Sequence, residues 1–426
     1  MADLRGQQLK DSYQNVVTRG AGNKLENGNG VEFADLDDKA SLVSSSMVIT
    51  VGSGGDYESP NSAIKAASRI ITEYQKDSLE VEIKFLSGYV LDEQIRIKGQ
   101  NLGQVVITSE DAVVNVDSTD FDRPDWYTTD GRNVKAVISG SHSVLPTLGC
   151  VLNLDVGTDI VGYWATLGSR GRILFDCGCT GFENNIYARD GSTITARKAV
   201  ATNASSFSLY ALHDSTIDAR SVDASGSSTG IYVNHASRVD ARDSDLSGCG
   251  TAVDCRNGIF NAQAANLQNC TSDTAIIREG SIATFRNANL NGSGGTGLFL
   301  DGASICDADL ASINNASDDA IRMESSCRLS FQDATATGAG NRALACFNGS
   351  DASVQDSDLS GAENHGVFAS GASKVNALRT DCRINSTSND PMDIRISNGS
   401  IVNANQADGG TSETVNTITS NGIIFG

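Results

Sequence analysis

From about residue 171 to residue 405 the chain repeats itself. One apolar or small residue recurs at Ile173, Ile194, Ile217, Val239, Phe260, Ala283, Cys306, Leu329, Ala352, Val375 and Val402, in steps of 21 to 23 with a last step of 27. A step held over that many cycles marks a solenoid, whose repeats bury their apolar faces only by stacking. Inside each repeat apolar and polar residues alternate with period two, which is strand and not helix. In the repeat that starts at Val239 the inward set is Val239 and Ala241, Ser244 and Leu246, then Val253 and Cys255. Three short strands per turn predict three parallel sheets in an all-β, right-handed parallel β-helix of about 21–23 residues per turn.

A second inward column reads Ala201, Ala224, Leu246, Leu267, Leu290, Ile313, Ala336, Leu359 and Cys382. Small residues there predict a narrow coil, its turns stacked at about 4.8 Å. Bends are expected at Ser247-Gly248, Asn291-Gly292, Asn314-Asn315, Thr337-Gly338 and Ser360-Gly361, since Gly and Asn tolerate the left-handed backbone. An open solenoid end exposes raw sheet edges and needs a cap. Ser59-Pro60 reads as an N-cap followed by proline at the first helical position. Ile64, Ala67, Ile71 and Tyr74 then share one helical face, which predicts a helix over 61–75 across the N-terminal mouth. Val81 to Leu86 is the strand expected to start the stacking.

By composition the chain divides into a polar, Gly- and Asn-rich segment 1–45 and irregular first turns with the capping helix over 46–170. The regular coil over 171–405 and a tail over 406–426 follow. The charge balance of 32 Lys+Arg against 52 Asp+Glu, a net −20, argues against nucleic acid and against anionic membrane surfaces. No apolar run reaches the roughly 18–20 residues of a membrane span, and no secretory h-region follows the N-terminus, so neither membrane insertion nor Sec export is expected. The ten cysteines lack zinc-like spacing, Cys177 and Cys179 being one residue apart. Reduced thiols are expected, with Cys306, Cys346 and Cys382 acting as small core hydrophobes. There is no phosphate loop, GxSxG elbow, HExxH helix or calcium loop. No cofactor and no metal are expected.

The segment Ile49-Thr50-Val51-Gly52-Ser53-Gly54-Gly55-Asp56-Tyr57, the helix after it and the strand Val81-Glu82-Ile83-Lys84-Phe85-Leu86-Ser87-Gly88-Tyr89 resemble the start of the β-helix in phage tail spike and tail fibre proteins. Ser143 to Leu148 and Asn421 to Gly426 are similar to such proteins as well. Pectate-lyase-like enzymes share the β-helix and the same opening. The resemblance implies a homotrimeric virion tail protein, assembled in the host cytoplasm, that contacts bacterial surface polysaccharide. Residues 1–45 would then be a virion-anchoring segment bound to other tail proteins. Only about twenty residues follow the last repeat, so no large C-terminal trimerisation domain is expected.

Stacking places outward residues of successive turns side by side, so columns can be read as surfaces. One runs Tyr187, Tyr210, Tyr232, Asp254, Ile276, Phe299, Arg322, Ala345, Phe368. The tyrosines would form a flat strip on which sugars pack, or a ladder that only stabilises the sheet or meets a neighbouring subunit. On the first reading, Tyr210→Ala weakens glycan binding without unfolding the coil. Three residues further on stand Asp190, His213 and His235, an acid–base set for hydrolysis or elimination, or a solvated bend. Asp301 with Glu324, and Asp218 with Asp240, have the proximity of a retaining glycosidase pair. Arg278, Arg220 and Arg242 beside them read equally as ion ladders. Asp125-Trp126-Tyr127 could touch a ligand or a partner chain, or pack between the entry region and the first regular turn. Three functions stay open on one scaffold: a glycan-binding tail spike, a polysaccharide depolymerase, and a secreted adhesin or pectate-lyase-like protein.

Overall fold

The computed structural model describes residues 18–19, 24–26, 32–35, 47–74, 80–123, 135–385, 392–408, 417–418 and 423–425. Asp125, Trp126 and Tyr127 lie outside them, as do most of 1–45 and of the tail. Within 1–45, three short strands (Thr18–Arg19, Lys24–Glu26 and Glu32–Asp35) pair antiparallel.

The rest is a right-handed parallel β-helix. One face is a wide 14-stranded sheet that runs from Ile95–Lys98 to Thr417–Ile418. A second, narrow sheet has 12 strands, each three residues long, from Arg170–Arg172 to Ile423–Phe425. Two four-stranded sheets complete the first turns. The strands 417–418 and 423–425 pair with 392–396 and 401–403, so stacking continues past residue 405.

The third face departs from the expected strand. From Gly178 on it shrinks to one bridged residue per turn, through Val200, Asp223, Asp245, Asn266, Asn289, Ser312, Thr335, Asp358, Asp381 and Asp408. The cause is two left-handed corners set close together. Two residues before each bridge the backbone turns left-handed, as at Lys198, Ser221, Asp243, Ala264 and Asn287. Three residues after it the chain turns again, at Asn203, Gly226, Gly248, Asn269, Gly292, Asn315, Gly338 and Gly361. Side chains at φ > 0 are unfavourable in isolation. Stacking holds them: the amides of Lys198 and Ser221, for example, donate to Arg220 O at 2.9 Å and Arg242 O at 2.8 Å in the next turn.

Helix α1 spans Pro60–Tyr74, starting one residue earlier than expected. The Ser59 hydroxyl caps it, accepting from the Ser62 amide at 3.3 Å and donating to Glu93 Oε1 at 2.6 Å. Ala63, Ile64 and Ala67 are buried in the main core, so the helix closes the N-terminal mouth. The inward column from Ile194 to Val402 is buried throughout, and so is the column from Ala201 to Cys382. All ten cysteines are free thiols; burial pushes the Cys249 thiol up to about 12.

The first member of the inward column needs correction. Ile194 pairs with Gly171, while Ile173 pairs with Leu148 one bend later. Tyr163 explains the glycine. Its ring is fully buried and its hydroxyl donates to Pro146 O at 2.9 Å. A Cβ on Gly171 would lie 2.5 Å from Tyr163 Cε1 and 2.8 Å from its hydroxyl oxygen. Gly171→Ala should therefore lower stability by about 1–3 kcal/mol through overpacking. Thermal unfolding beside a Thr193→Ala control on the same sheet checks it, and equal midpoints would contradict this account.

Candidate functional site

The wide sheet keeps the register that the repeat implies. Trp164, Tyr187, Tyr210, Tyr232, Asp254, Ile276, Phe299, Arg322, Ala345, Phe368 and Arg395 stand in one column. Their exposure differs from that of a flat open strip. Tyr187 is 2% exposed and Tyr210 9%. Their rings stack 4.4 Å apart and nearly parallel, next to the buried ring of Trp164. With Ala136, Val161 and Leu212 they form a second hydrophobic cluster on the outside of the coil. Phe207 leans on both Tyr210 and Tyr232, at 4.8 Å from each ring.

Tyr232 alone of the three tyrosines is half-buried, turned edge-on to Tyr210 at 5.2 Å. Its hydroxyl accepts from Asn234 Nδ2 at 3.0 Å. The Arg256 guanidinium lies 5.7 Å from its ring centre, held by Asp254 at 2.8 Å. Burial pushes the Tyr232 hydroxyl above its usual range, against the pull of Arg256.

Asp190, His213 and His235 come together in the bend that follows three successive wide-sheet strands. All three have left-handed backbone, with φ of 54°, 54° and 50°. Asp and His tolerate that region better than most residues. His213 Nδ1 lies 3.0 Å from Asp190 Oδ1. Asp190 also accepts from Thr166 Oγ1 at 3.1 Å and faces Arg189 Nε at 3.3 Å. An ionised carboxylate only accepts, so the proton of a neutral His213 sits on Nδ1 and Nε2 carries the basic lone pair. The His235 ring stands edge-on to His213 at 4.8 Å. These residues, with Gly191, Asp214, Ala236 and Asn257, line an open depression.

Arginines hold three of the four carboxylates. Arg322 grips Glu324 at 2.5 Å, and Asp301 accepts from the Gly302 amide at 2.7 Å. Asp218 takes Arg197 at 2.6 Å and Arg220 at 2.9 Å, while Arg242 holds Asp240 at 2.7 Å. Ion pairs to arginine account for Asp218, Asp240 and Glu324, at about 0–1 kcal/mol per exposed bridge, whereas Asp301 is held by a backbone amide.

One feature of the same face escaped the sequence reading. Arg278, Phe299, Arg322, Phe347, Arg342, Phe368 and Arg395 interleave, with guanidinium-to-ring distances from 5.2 to 5.9 Å. The alternation of Arg322 and Phe368 in one column was the signal available. Among the described residues no group of His, Cys, Asp or Glu is placed to hold a metal, and no helix is long and apolar enough to cross a membrane.

Register and core define the class: a capped, right-handed parallel β-helix with a polar and aromatic outer face. A family model described as right handed beta helix region matches residues 273–426. No curated protein matches the chain in sequence. The fold is similar to that of the Dettilon tailspike protein, at 10% identity over 98% of this chain and 73% of that one, with a TM-score of 0.40. Bacteriophage CBA120 tailspike protein 3 is similar at 11% identity over 99% and 68%, with a TM-score of 0.34. So is the mannuronan C-5 epimerase A-module of Azotobacter vinelandii, at 11% over 86% and 93%, with a TM-score of 0.38. The fold assignment rests on this chain's own strand register.

Burial separates the tyrosines. Tyr210→Ala removes a packed ring and should cost about 2–4 kcal/mol, whereas Tyr232→Ala should cost about 1. Thermal unfolding of the two variants decides it, and a smaller loss for Tyr210→Ala would be evidence against the outer cluster.

Proposed function

We propose that this chain is a phage tail spike or tail fibre component that attaches to bacterial surface polysaccharide. The observation that carries the reading is the open depression at His213, His235 and Asn257, in the bend that follows the strand carrying Tyr232. Hydrogen-bonding groups there stand in successive turns on a face open to solvent, and the half-buried Tyr232 stands three residues before His235. The turns repeat at about 4.8 Å, close to the length of one pyranose unit, so consecutive rungs can meet consecutive sugars. Tyr232 supplies apolar ring surface for sugar C–H faces, and Asn234, His213 and His235 supply polar contacts. The opening from Ile49 to Tyr89 supports the tail protein assignment by resemblance. On that assignment residues 1–45 attach to other tail proteins, and the protein sits in the virion tail after assembly in the host cytoplasm.

The proposal includes a homotrimer. Ile259, Ile282 and Ile305, at 37%, 48% and 46% exposure, form an apolar stripe along the narrow sheet. The neighbouring outward column carries Asp218, Asp240 and Asp307, while Arg238 and Arg328 flank the isoleucines. A parallel neighbour sets one column against the other and covers the stripe. Light scattering during size exclusion should give three times the 44.5 kDa chain mass. A monomer would count against the trimer.

A second reading, a depolymerase, is favoured by one observation: Asp190 orients His213 so that Nε2 can act as general base. Binding to a panel of capsular and O-polysaccharides tests both readings. Tyr232→Ala and His213→Gln should each weaken adsorption about tenfold. Adsorption unaffected by both variants would remove this surface from the argument. Release of reducing or unsaturated ends that His213→Gln abolishes while adsorption persists would establish the enzyme.

A further inference from the structure

On the narrow sheet the outward column reads Arg172, Thr195, Asp218, Asp240. From Asp218 onward acids in this column alternate with arginines from the adjoining bend: Arg197, Asp218, Arg220, Asp240 and Arg242. At its N-terminal end the ladder loses its acid. Thr195 fills the place that Asp218 and Asp240 take one and two turns later, and Arg172 stands where a further carboxylate would. Arg172 is exposed and makes no ion pair with any described residue. In a chain of net charge −20 this is a local surplus of positive charge.

At the same spot the surface is concave. A depression is lined by Arg172, Ile173, Leu174, Phe175, Thr195 and Arg197. Phe175 is 60% exposed, more than any other large hydrophobic residue among those described. A ring so exposed gains nothing from core burial. The Lys198 Nζ lies over it, 5.2 Å from the ring centre. An aromatic ring beside the unpaired Arg172 guanidinium suits a ligand with an apolar ring face and an anion on its edge.

We propose that this depression binds an acidic sugar, whose carboxylate takes the place of the missing acid between Arg172 and Arg197 and whose C–H face lies on Phe175. The pocket belongs to the narrow sheet, whereas Tyr232, His213 and His235 belong to the wide sheet and its bend. The two sites can therefore fail independently.

The test uses the full chain and oligogalacturonate, with its methyl ester as the same chain without charge, in calorimetric titrations. The acid should bind saturably, more weakly as sodium chloride is raised, and the ester at least about tenfold more weakly. Arg172→Gln should weaken the acid about tenfold and Phe175→Ala about fivefold. Both side chains are exposed, so circular dichroism and melting should not change. Equal binding of acid and ester, unchanged affinity in Arg172→Gln, or no saturable binding of oligogalacturonate would each overturn the proposal. Acid binding at this pocket without adsorption to any bacterial polysaccharide would sink the attachment reading and leave the pocket standing.

Discussion

Every feature of this molecule depends on the parallel backbone hydrogen-bond ladder that joins each turn to the next in constant register. Ile194 lies over Ile217, Ile217 over Val239, and the sequence continues in step to Val402. The ladder satisfies the main-chain groups that burial would otherwise leave unpaired. It also turns a one-dimensional repeat into columns of like positions about 4.8 Å apart. Inside, these columns form a single core from Ile49 to Val402. The ends are the weak points of such a ladder, and α1 covers the first of them with Ala63, Ile64 and Ala67.

The same stacking organises the outside. Charged residues two apart along the chain and one turn apart in space fall into ladders such as Arg197, Asp218, Arg220, Asp240 and Arg242. Each exposed bridge is weak by itself, so the ladders add little to a fold already held by its backbone and core. Their value lies in defining where charge is balanced and where it is not. Arg172 is a place where it is not. Aromatic residues stack by the same rule. Trp164, Tyr187 and Tyr210 close on one another into an outer cluster, and the register hands the next turn to the more open Tyr232.

Two outer regions thereby acquire different chemistry. The wide-sheet bend offers an oriented imidazole, a second histidine, amides and one ring edge, a set of neutral polar and weakly basic groups. The narrow-sheet depression offers guanidinium groups and an exposed phenyl ring. The division follows from the three-sided cross-section, since residues a few positions apart in one turn face different sides.

The sequence by itself was enough for the fold class, the turn length, the inward columns from Ile194 and Ala201 onward, the outward column from Tyr187 to Phe368, the second corner of each turn and the capping helix. Each is a property of period and residue type, and a ladder of constant register transmits period directly into space. Tertiary structure decided the rest, through packing that no period encodes. It placed Gly171 rather than Ile173 over Ile194, because the Tyr163 ring fills that part of the interior. It reduced the third side to single bridges, because two left-handed corners fall too close together to leave a strand between them. It buried Tyr187 and Tyr210 and left Tyr232 half open, because exposure depends on which neighbours from other turns lean across a column. The bond between His213 and Asp190 was likewise decided there: spacing puts the two residues in adjacent turns, and the left-handed bend turns their side chains toward each other.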